Sequence, residues 1–356
     1  MNPRILKLKE SFQSKGLDAF LVTNDVNILY LTNFPASESW LLVTRRGSFY
    51  ITDFRYVLEA KKGLRGVDVY RYQKSLTEGV FSLVKQLKIK RLGFDSRHLS
   101  HASYQKLNKI FCGQVKLVSA HGLVEHIREI KSENEISLIR KALKLNLDAY
   151  RYLKGVIRPG ITEREVFLKL EAFIKKHKAR FSFSPIIASG PNSCFPHARV
   201  TDRKVKKDDL VLVDMGMDID GYKSDLTRVF FLGRIPQLVR RICVDVKEAQ
   251  RLAIEKIKAN VPAHDVDFQA RKHLKKKKLD QYFGHSLGHG VGLEIHESPS
   301  LSQMSSAILK EGMVITVEPA VYLPNRFGIR IEDMVLVTKN GCEVISRSED
   351  VDQVCP

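Results

Sequence analysis

Apolar and polar positions alternate between strand-like and helix-like stretches over roughly the first 125 residues of the chain. Five short runs rich in β-branched and aromatic residues predict strands: AFLVT (19–23), SWLLVT (39–44), SFYIT (48–52), VDVYRY (67–72) and RLGFD (91–95). Residues 76–88 instead carry apolar side chains at helical spacing. This alternation predicts a small α/β domain.

Three longer helices are predicted after this region. Ser132 with Glu135, and Thr162 with Glu165, have the spacing of a capping box ahead of an apolar stripe. A third apolar stripe predicts a helix over residues 237–258. Because the whole chain of 356 residues exceeds the usual size of a single core, we expect two domains.

The domain border is expected near residues 120–130. We therefore expect an N-terminal domain over residues 1–125 and a C-terminal domain over residues 126–356. Helices and strands mix in both, so the fold class is α/β (α+β).

A predicted hairpin brings two carboxylates to one face. The runs VLVDMGMDI and YKSDLTRVF flank Asp220-Gly221, a strong signal for a two-residue turn. That turn sets Asp214 opposite Thr227, so Asp225, two residues away, points to the same face as Asp214. The alternative is a solvated strand face with two unrelated acids. The flanking runs are apolar, however, and unpaired carboxylates are costly in buried strands. A bound cation would remove that cost.

The segment GHSLGHGVGLEIHE (284–297) contains three histidines among four glycines: His285, His289 and His296. The glycines disfavour a helix and permit close backbone approach. A lone histidine is more often structural or simply exposed, but three in one such segment favour a site. We take His289 as the metal ligand, with His285 able to hydrogen-bond a ligand.

Two glutamates complete the set. Glu318 ends the apolar run VITVE, and Glu332 lies in IRIED; the alternative for both is charge on an edge strand. The surrounding apolar residues favour burial. Alternation along the strand puts Arg330 on the face of Glu332, where Arg330 can orient it.

Four carboxylates and one imidazole balance two divalent cations. The five candidate ligands are Asp214, Asp225, His289, Glu318 and Glu332. Oxygen ligands with one imidazole suit Mn²⁺, Co²⁺, Fe²⁺ or Zn²⁺. In a two-metal site the shared water or hydroxide can attack a carbonyl. The predicted reaction class is therefore metal-assisted hydrolysis.

Composition and charge limit the possible binding partners and the cellular compartment. The net charge of +19 could indicate nucleic acid or an acidic membrane surface, but the lysines and arginines are spread along the chain without interleaved aromatic residues. This spread argues against a nucleic-acid partner. No apolar run is long enough to span a membrane, and residues 1–16 lack the apolar core of a secretory signal. Five scattered cysteines without a CxxC pair favour a reducing cytoplasm.

These motifs, in this order, resemble the pita-bread metallopeptidases, the family of methionine aminopeptidase, aminopeptidase P and prolidase. The resemblance extends over essentially the whole chain, with residues 1–125 similar to a creatinase-type N-terminal domain. It implies a pita-bread fold for residues 126–356. It also implies that Asp225 and Glu332 bridge two metals, and that Asp214 completes the shell of one metal.

The resemblance assigns the remaining roles as well. His289 and Glu318 would complete the second metal's shell, and Glu318 would also carry a proton from the attacking water. His197 in FPHARV matches the family's substrate-side histidine, and His296 matches the residue that contacts the substrate carbonyl. His285 and Arg330 match supporting positions.

The two-domain layout implies the proline-specific branch of the family. We expect a dinuclear Xaa-Pro aminopeptidase that acts on proline-containing peptides, with Mn²⁺ as its metal and Co²⁺, Fe²⁺ or Zn²⁺ as alternatives. The alternative activity is an Xaa-Pro dipeptidase, or prolidase. A further alternative is a catalytically silent binding module, although such relatives typically lose ligands and this chain keeps all five. The resemblance also implies a homodimer.

Overall fold

The computed structural model describes residues 2–348 and residue 351. The chain divides into two compact units, Met1–Arg128 and Glu129–Pro356. In the described part of the chain, no helix is both long and apolar enough to cross a membrane.

The N-terminal unit is built on a six-stranded mixed sheet. Its strands are β1 (Ala19–Val22), β2 (Trp40–Thr44), β3 (Ser48–Thr52), β4 (Asp68–Arg71), β5 (Arg91–Phe94) and β6 (Lys116–Ser119). Its helices are α1 (Pro3–Gln13), α2 (Asp25–Thr32), α3 (Val57–Gly63), α4 (Leu76–Gln86), α5 (His101–Phe111) and α6 (Leu123–Glu129). The strand order is β4-β3-β2-β1-β5-β6. All five predicted strands form, and β6 is an addition at the sheet edge.

Four long helices belong to the C-terminal unit: α7 (Glu133–Val156), α8 (Glu163–Lys176), α9 (Gln237–Lys256) and α10 (Ala263–Lys276). Both predicted capping boxes are confirmed at the starts of α7 and α8. The Glu135 carboxylate accepts from the Ser132 backbone N–H at 2.9 Å, and the Glu165 carboxylate accepts from that of Thr162 at 2.8 Å. These contacts satisfy amide groups that have no partner inside the helix.

The strands of this unit are short. They are β7 (Arg180–Phe181), β8 (Ile186–Ser189), β9 (Leu210–Met215), β10 (Met217–Ile219), β11 (Tyr222–Lys223), β12 (Leu226–Phe231), β13 (Gly288–Gly290), β14 (Glu297–Leu301), β15 (Val314–Val317), β16 (Ala320–Leu323), β17 (Phe327–Arg330), β18 (Asp333–Val337) and β19 (Cys342–Val344). Two short 3₁₀ helices cover Gly190–Cys194 and Asp280–Tyr282.

Two of the sheets carry the candidate ligands. One has the order β12-β9-β8, and the other has the order β14-β13-β15-β18-β19. Strands β16 and β17 form a separate hairpin, and β11-β10-β7 form a small third sheet. Apolar residues of α9 and α10, among them Val246 and Val266, share one buried cluster with Leu212 of β9 and Ile315 of β15. The helices and both ligand-bearing sheets therefore share one apolar core.

Candidate metal centre

The hairpin that carries the first two carboxylates has the predicted register. Thr227 of β12 pairs with Asp214 of β9, so Asp225, two residues before Thr227, lies on the same face as Asp214. The turn is made by Asp220 and Gly221, whose φ angles are 52° and 86°. Two left-handed residues are what a tight hairpin turn of this kind requires. A local turn signal therefore sets the spacing of two buried acids.

The second pair of carboxylates comes from the ends of neighbouring strands. Glu318 directly follows β15 and Glu332 directly precedes β18. These strands are antiparallel, with Val317 opposite Asp333, so both glutamates lie at the same end of the strand pair. Glu332 is buried at 2% exposure, which excludes the alternative of an edge-strand surface charge for that residue.

His289, on β13, contacts one carboxylate of each pair. Its Nδ1 lies 3.1 Å from the carbonyl oxygen of Gly290, and its backbone N–H donates to Thr316 Oγ1 at 3.0 Å. Its Nε2 lies 3.3 Å from Glu318 Oε1 and 3.6 Å from Asp225 Oδ2. A proton on Nδ1, held by the carbonyl, would leave the Nε2 lone pair facing the carboxylates, which is the tautomer that a metal ligand needs.

The donor set fits divalent cations. Ligand atoms of Asp225, His289 and Glu332 all lie within 4.8 Å of one another. Asp214 Oδ1 and Glu332 Oε1 are buried, and neither has a hydrogen-bond partner among the described residues. A buried charged oxygen without a partner is unfavourable, whereas a cation would satisfy it. The site therefore has the oxygen-rich composition and the unsatisfied atoms expected of a metal centre.

The electrostatics of the protein alone lead to the same conclusion. Burial, followed by the charges of Glu332 and Asp214, raises the pKa of Asp225 well above its usual range. Burial, followed by the charges of Glu318 and Asp214, raises the pKa of Glu332 in the same way. Burial also raises the pKa of Glu318, but the hydrogen bond and charge of His289 outweigh it and lower that pKa. Crowded carboxylates resist ionisation until positive charge is supplied.

Arg330 supplies one fixed positive charge beside these acids. Its guanidinium donates to Asp214 Oδ2 at 2.5 Å, to Tyr322 OH at 2.5 Å and to Thr227 Oγ1 at 3.1 Å. Thr227 in turn donates to Glu332 Oε2 at 2.7 Å. We expected Arg330 to orient Glu332 directly, but its carboxylate partner is Asp214 and it reaches Glu332 only through Thr227. Arg330 ends β17 while Glu332 lies beyond that strand, so strand alternation does not relate their side chains.

The centre lies in a cleft of about 1020 Å³. His197 and His296 line this cleft, as do His285 and all five candidate ligands. The rings of His296 and His289 are 4.4 Å apart and nearly perpendicular. His197 is exposed and comes from the segment that follows the 3₁₀ helix Gly190–Cys194. His285 Nε2 lies 3.2 Å from Tyr322 OH, the hydroxyl that also accepts a hydrogen bond from Arg330.

Sequence reasoning missed several polar residues beneath the centre. Asn146 and Tyr150 of α7 are fully buried, and both reach backbone atoms beside Asp214 and Asp225. Tyr322 and Thr316 were missed too, because each lies inside an apolar strand. Asn146 could have been recognised from the sequence, because it is a polar residue on the apolar face of α7 and buried polar groups require partners.

Comparison with known proteins identifies relatives of this chain. Residues 137–339 match the model of metallopeptidase family M24, and residues 4–130 match the creatinase/prolidase N-terminal domain. An uncharacterised peptidase of Bacillus subtilis is 37% identical over 97% of this chain and 98% of its own length. The solved structure of an Xaa-Pro dipeptidase from Bacillus anthracis superposes with a TM-score of 0.93, at 36% identity over 97% of each chain.

A second solved structure carries a different activity in its name. The X-Pro aminopeptidase of Thermotoga maritima has a TM-score of 0.87 and 33% identity, over 96% of this chain and 98% of its own. The chain belongs to metallopeptidase family M24, with a creatinase/prolidase-type N-terminal domain. As a member of that family it is a metallopeptidase that uses divalent metal ions.

Proposed function

We propose that this protein is a dinuclear metallopeptidase that hydrolyses the Xaa-Pro bond at peptide N-termini. The observation that carries the proposal is the convergence of three buried carboxylates, the half-buried Glu318 and His289 Nε2 in one cleft. Two of the carboxylate oxygens have no hydrogen-bond partner among the described residues. Asp225 and Glu332 would bridge the two cations. Asp214 would complete one shell, and His289 with Glu318 the other.

The side chains divide the chemical work. When bound, two divalent cations polarise a peptide carbonyl and lower the pKa of the attacking water. Glu318 lies in the same cleft, 3.3 Å from His289 Nε2, and would take the proton from that water and pass it to the leaving proline nitrogen. A catalytically silent binding module would not need this combination of a carboxylate and unsatisfied ligand oxygens.

The two cleft histidines would hold the substrate. Burial, followed by the charge of His289, lowers the pKa of His296, so His296 is neutral near pH 7 and can donate one N–H to the carbonyl oxygen. His197 would contact the substrate from the opposite, exposed loop. His285 and Arg330 would support the site through Tyr322.

The choice of substrate follows from the relatives and from the cleft. Similar proteins carry the names Xaa-Pro dipeptidase and X-Pro aminopeptidase. The cleft of about 1020 Å³ has room for a peptide longer than a dipeptide. We therefore propose the aminopeptidase activity, with the Xaa-Pro dipeptidase as the alternative. Mn²⁺ as the native metal, a homodimer and a cytoplasmic location complete the proposal.

One comparison of substrates tests the proposal. Purified protein with Mn²⁺ is incubated with Ala-Pro, Ala-Pro-Ala and Ala-Gly-Ala, and free alanine is measured. Release of alanine from Ala-Pro-Ala but not from Ala-Gly-Ala is the expected result. Cleavage of Ala-Pro alone would assign the dipeptidase alternative. Absence of cleavage with any substrate, while Mn²⁺ binds, would overturn the proposed activity.

A further inference from the structure

Gln250 is a buried polar residue on the apolar face of α9. It is 7% exposed, and its helix neighbours Val246, Ala249 and Ala253 are completely buried in the apolar core. A glutamine amide in such surroundings is costly unless its N–H groups are used. Its contacts therefore indicate what keeps it there.

Both contacts of Gln250 are with backbone carbonyl groups of residues that directly precede the glutamate ligands. Its Nε2 donates to the carbonyl oxygen of Val317 at 3.0 Å and to that of Ile331 at 3.2 Å. The next residue after Val317 is Glu318, and the next after Ile331 is Glu332. One amide group thus joins the two peptide units that carry the second carboxylate pair.

Strand pairing alone leaves these two peptide units less fixed. The ladder between β15 and β18 ends at the Val317–Asp333 pair, so Glu318 and Glu332 lie just outside it. Beyond the ladder, one weak backbone hydrogen bond of 3.4 Å, from the Ile331 N–H to the Pro319 carbonyl oxygen, continues across the two chains. A metal centre tolerates little displacement of its ligands. The Gln250 amide joins the two chains at this end of the ladder.

The first carboxylate pair is braced in a similar way from α7. The hydroxyl of Tyr150 lies 2.9 Å from the carbonyl oxygen of Val213 and 2.6 Å from that of Leu226. Val213 precedes Asp214, and Leu226 follows Asp225. Tyr150 of α7 and Gln250 of α9 therefore each connect, through one buried polar group, the two backbone segments that carry a pair of acids.

We propose that Gln250 is a positioning residue that sets the separation of Glu318 and Glu332 and thereby the affinity of the metal centre. The inference rests on the proposed dimetal function. It differs from simple satisfaction of two buried carbonyls, because that role would affect stability but not metal binding.

The test compares metal binding with stability. Gln250→Met keeps most of the volume and removes both N–H donors, whereas Val246→Ala, one turn earlier on the same buried face, removes apolar packing but no hydrogen bond. Mn²⁺ affinity is measured by titration calorimetry at a temperature where all variants are folded, and unfolding midpoints are measured separately. We expect Gln250→Met to lower Mn²⁺ affinity by about 10-fold or more, as partners of metal ligands commonly do. Val246→Ala should lower only the midpoint.

A second variant keeps the test informative if Gln250→Met does not fold. Gln250→Asn retains the amide but is one methylene shorter, so it cannot keep both contacts, and we expect weaker Mn²⁺ binding and an altered Mn–Mn exchange pattern by electron paramagnetic resonance. Wild-type affinity and spectrum in the folded Gln250 variants would overturn the inference alone. Failure of the wild-type protein to bind Mn²⁺ would instead overturn the proposed function.

Discussion

The Thr227 hydroxyl donates a 2.7 Å hydrogen bond to Oε2 of Glu332, a residue 105 positions further along the chain. The same oxygen, Thr227 Oγ1, accepts from Arg330 Nε at 3.1 Å. Thr227 thus links the hairpin that carries Asp214 and Asp225 to the strands that carry the glutamates. This hydroxyl therefore joins the two halves of the centre, together with the contact between Arg330 and Asp214.

Replacing that hydroxyl by a methyl group should weaken metal binding. Thr227→Val keeps the shape of the side chain but leaves Glu332 Oε2 without its donor, so we expect Mn²⁺ affinity to fall by about 10-fold. Calorimetric titration measures the change. Thr23→Val is the matched control, because Thr23 Oγ1 is buried and has no partner among the described residues. Equal Mn²⁺ affinities in both variants would contradict the role of Thr227.

Asp225→Asn should lower activity but stabilise the metal-free protein. Loss of a bridging ligand should lower kcat/KM by roughly three orders of magnitude, since metal stabilisation of the reaction is worth several kcal/mol. The metal-free protein should become more stable, because burial and the charge of Glu332 raise the pKa of Asp225 and make its ionised form unfavourable in the fold. Asp218→Asn on the same hairpin, where Asp218 pairs with Lys223 at 2.6 Å, should retain activity. An active Asp225→Asn enzyme would reject the ligand assignment.

The metal-free protein should lose stability as the pH rises. The folded-state pKa values of Asp225 and Glu332 are raised, so folding favours their protonated forms. Their contribution is fully present below the unfolded pKa values of about 4 and is lost as the pH rises through the folded values. The lowered pKa of Glu318 opposes this trend but is a single group. Urea unfolding at several pH values, with chelator and with Mn²⁺, should show the loss only with chelator.

Removing the buried guanidinium should damage the fold itself. Arg330→Met leaves Asp214 Oδ2 and Tyr322 OH without their donor, and breaking a buried pair costs about 3–5 kcal/mol. Denaturant unfolding of the metal-free protein measures this cost. Arg326→Met, at an exposed position between β16 and β17, should change stability by no more than about 0.5 kcal/mol. Similar small effects for both would contradict the contribution of Arg330.

His296→Ala should impair catalysis without releasing metal. Loss of one donor to the carbonyl oxygen should lower kcat by about 100- to 1000-fold, while Mn²⁺ affinity stays near that of the wild type. Steady-state kinetics with Ala-Pro-Ala and calorimetry give the two numbers. His264→Ala, on the exposed start of α10, serves as the control. Parallel losses of kcat and Mn²⁺ affinity would make His296 part of the metal shell instead.

Local sequence signals determined the hairpin, both capping boxes and five strands of the N-terminal sheet. Each depends on a few neighbouring residues: Asp220-Gly221 fixes a turn, and a strand period of two then aligns Asp214 with Asp225. The same signals could not reveal β6, a strand of four residues at the sheet edge whose side chains are half-buried or exposed. A weakly apolar edge strand has little periodic pattern.

The ligand types and their order were readable from the sequence, but their mutual support was not. Only the tertiary structure decided that Arg330 pairs with Asp214, that Thr227 joins Glu332, and that Gln250 spans the backbone beside Glu318 and Glu332. These contacts join residues far apart in the chain, and their geometry depends on how helices and sheets pack. Sequence periodicity gives the face on which a side chain lies, whereas packing selects its partner.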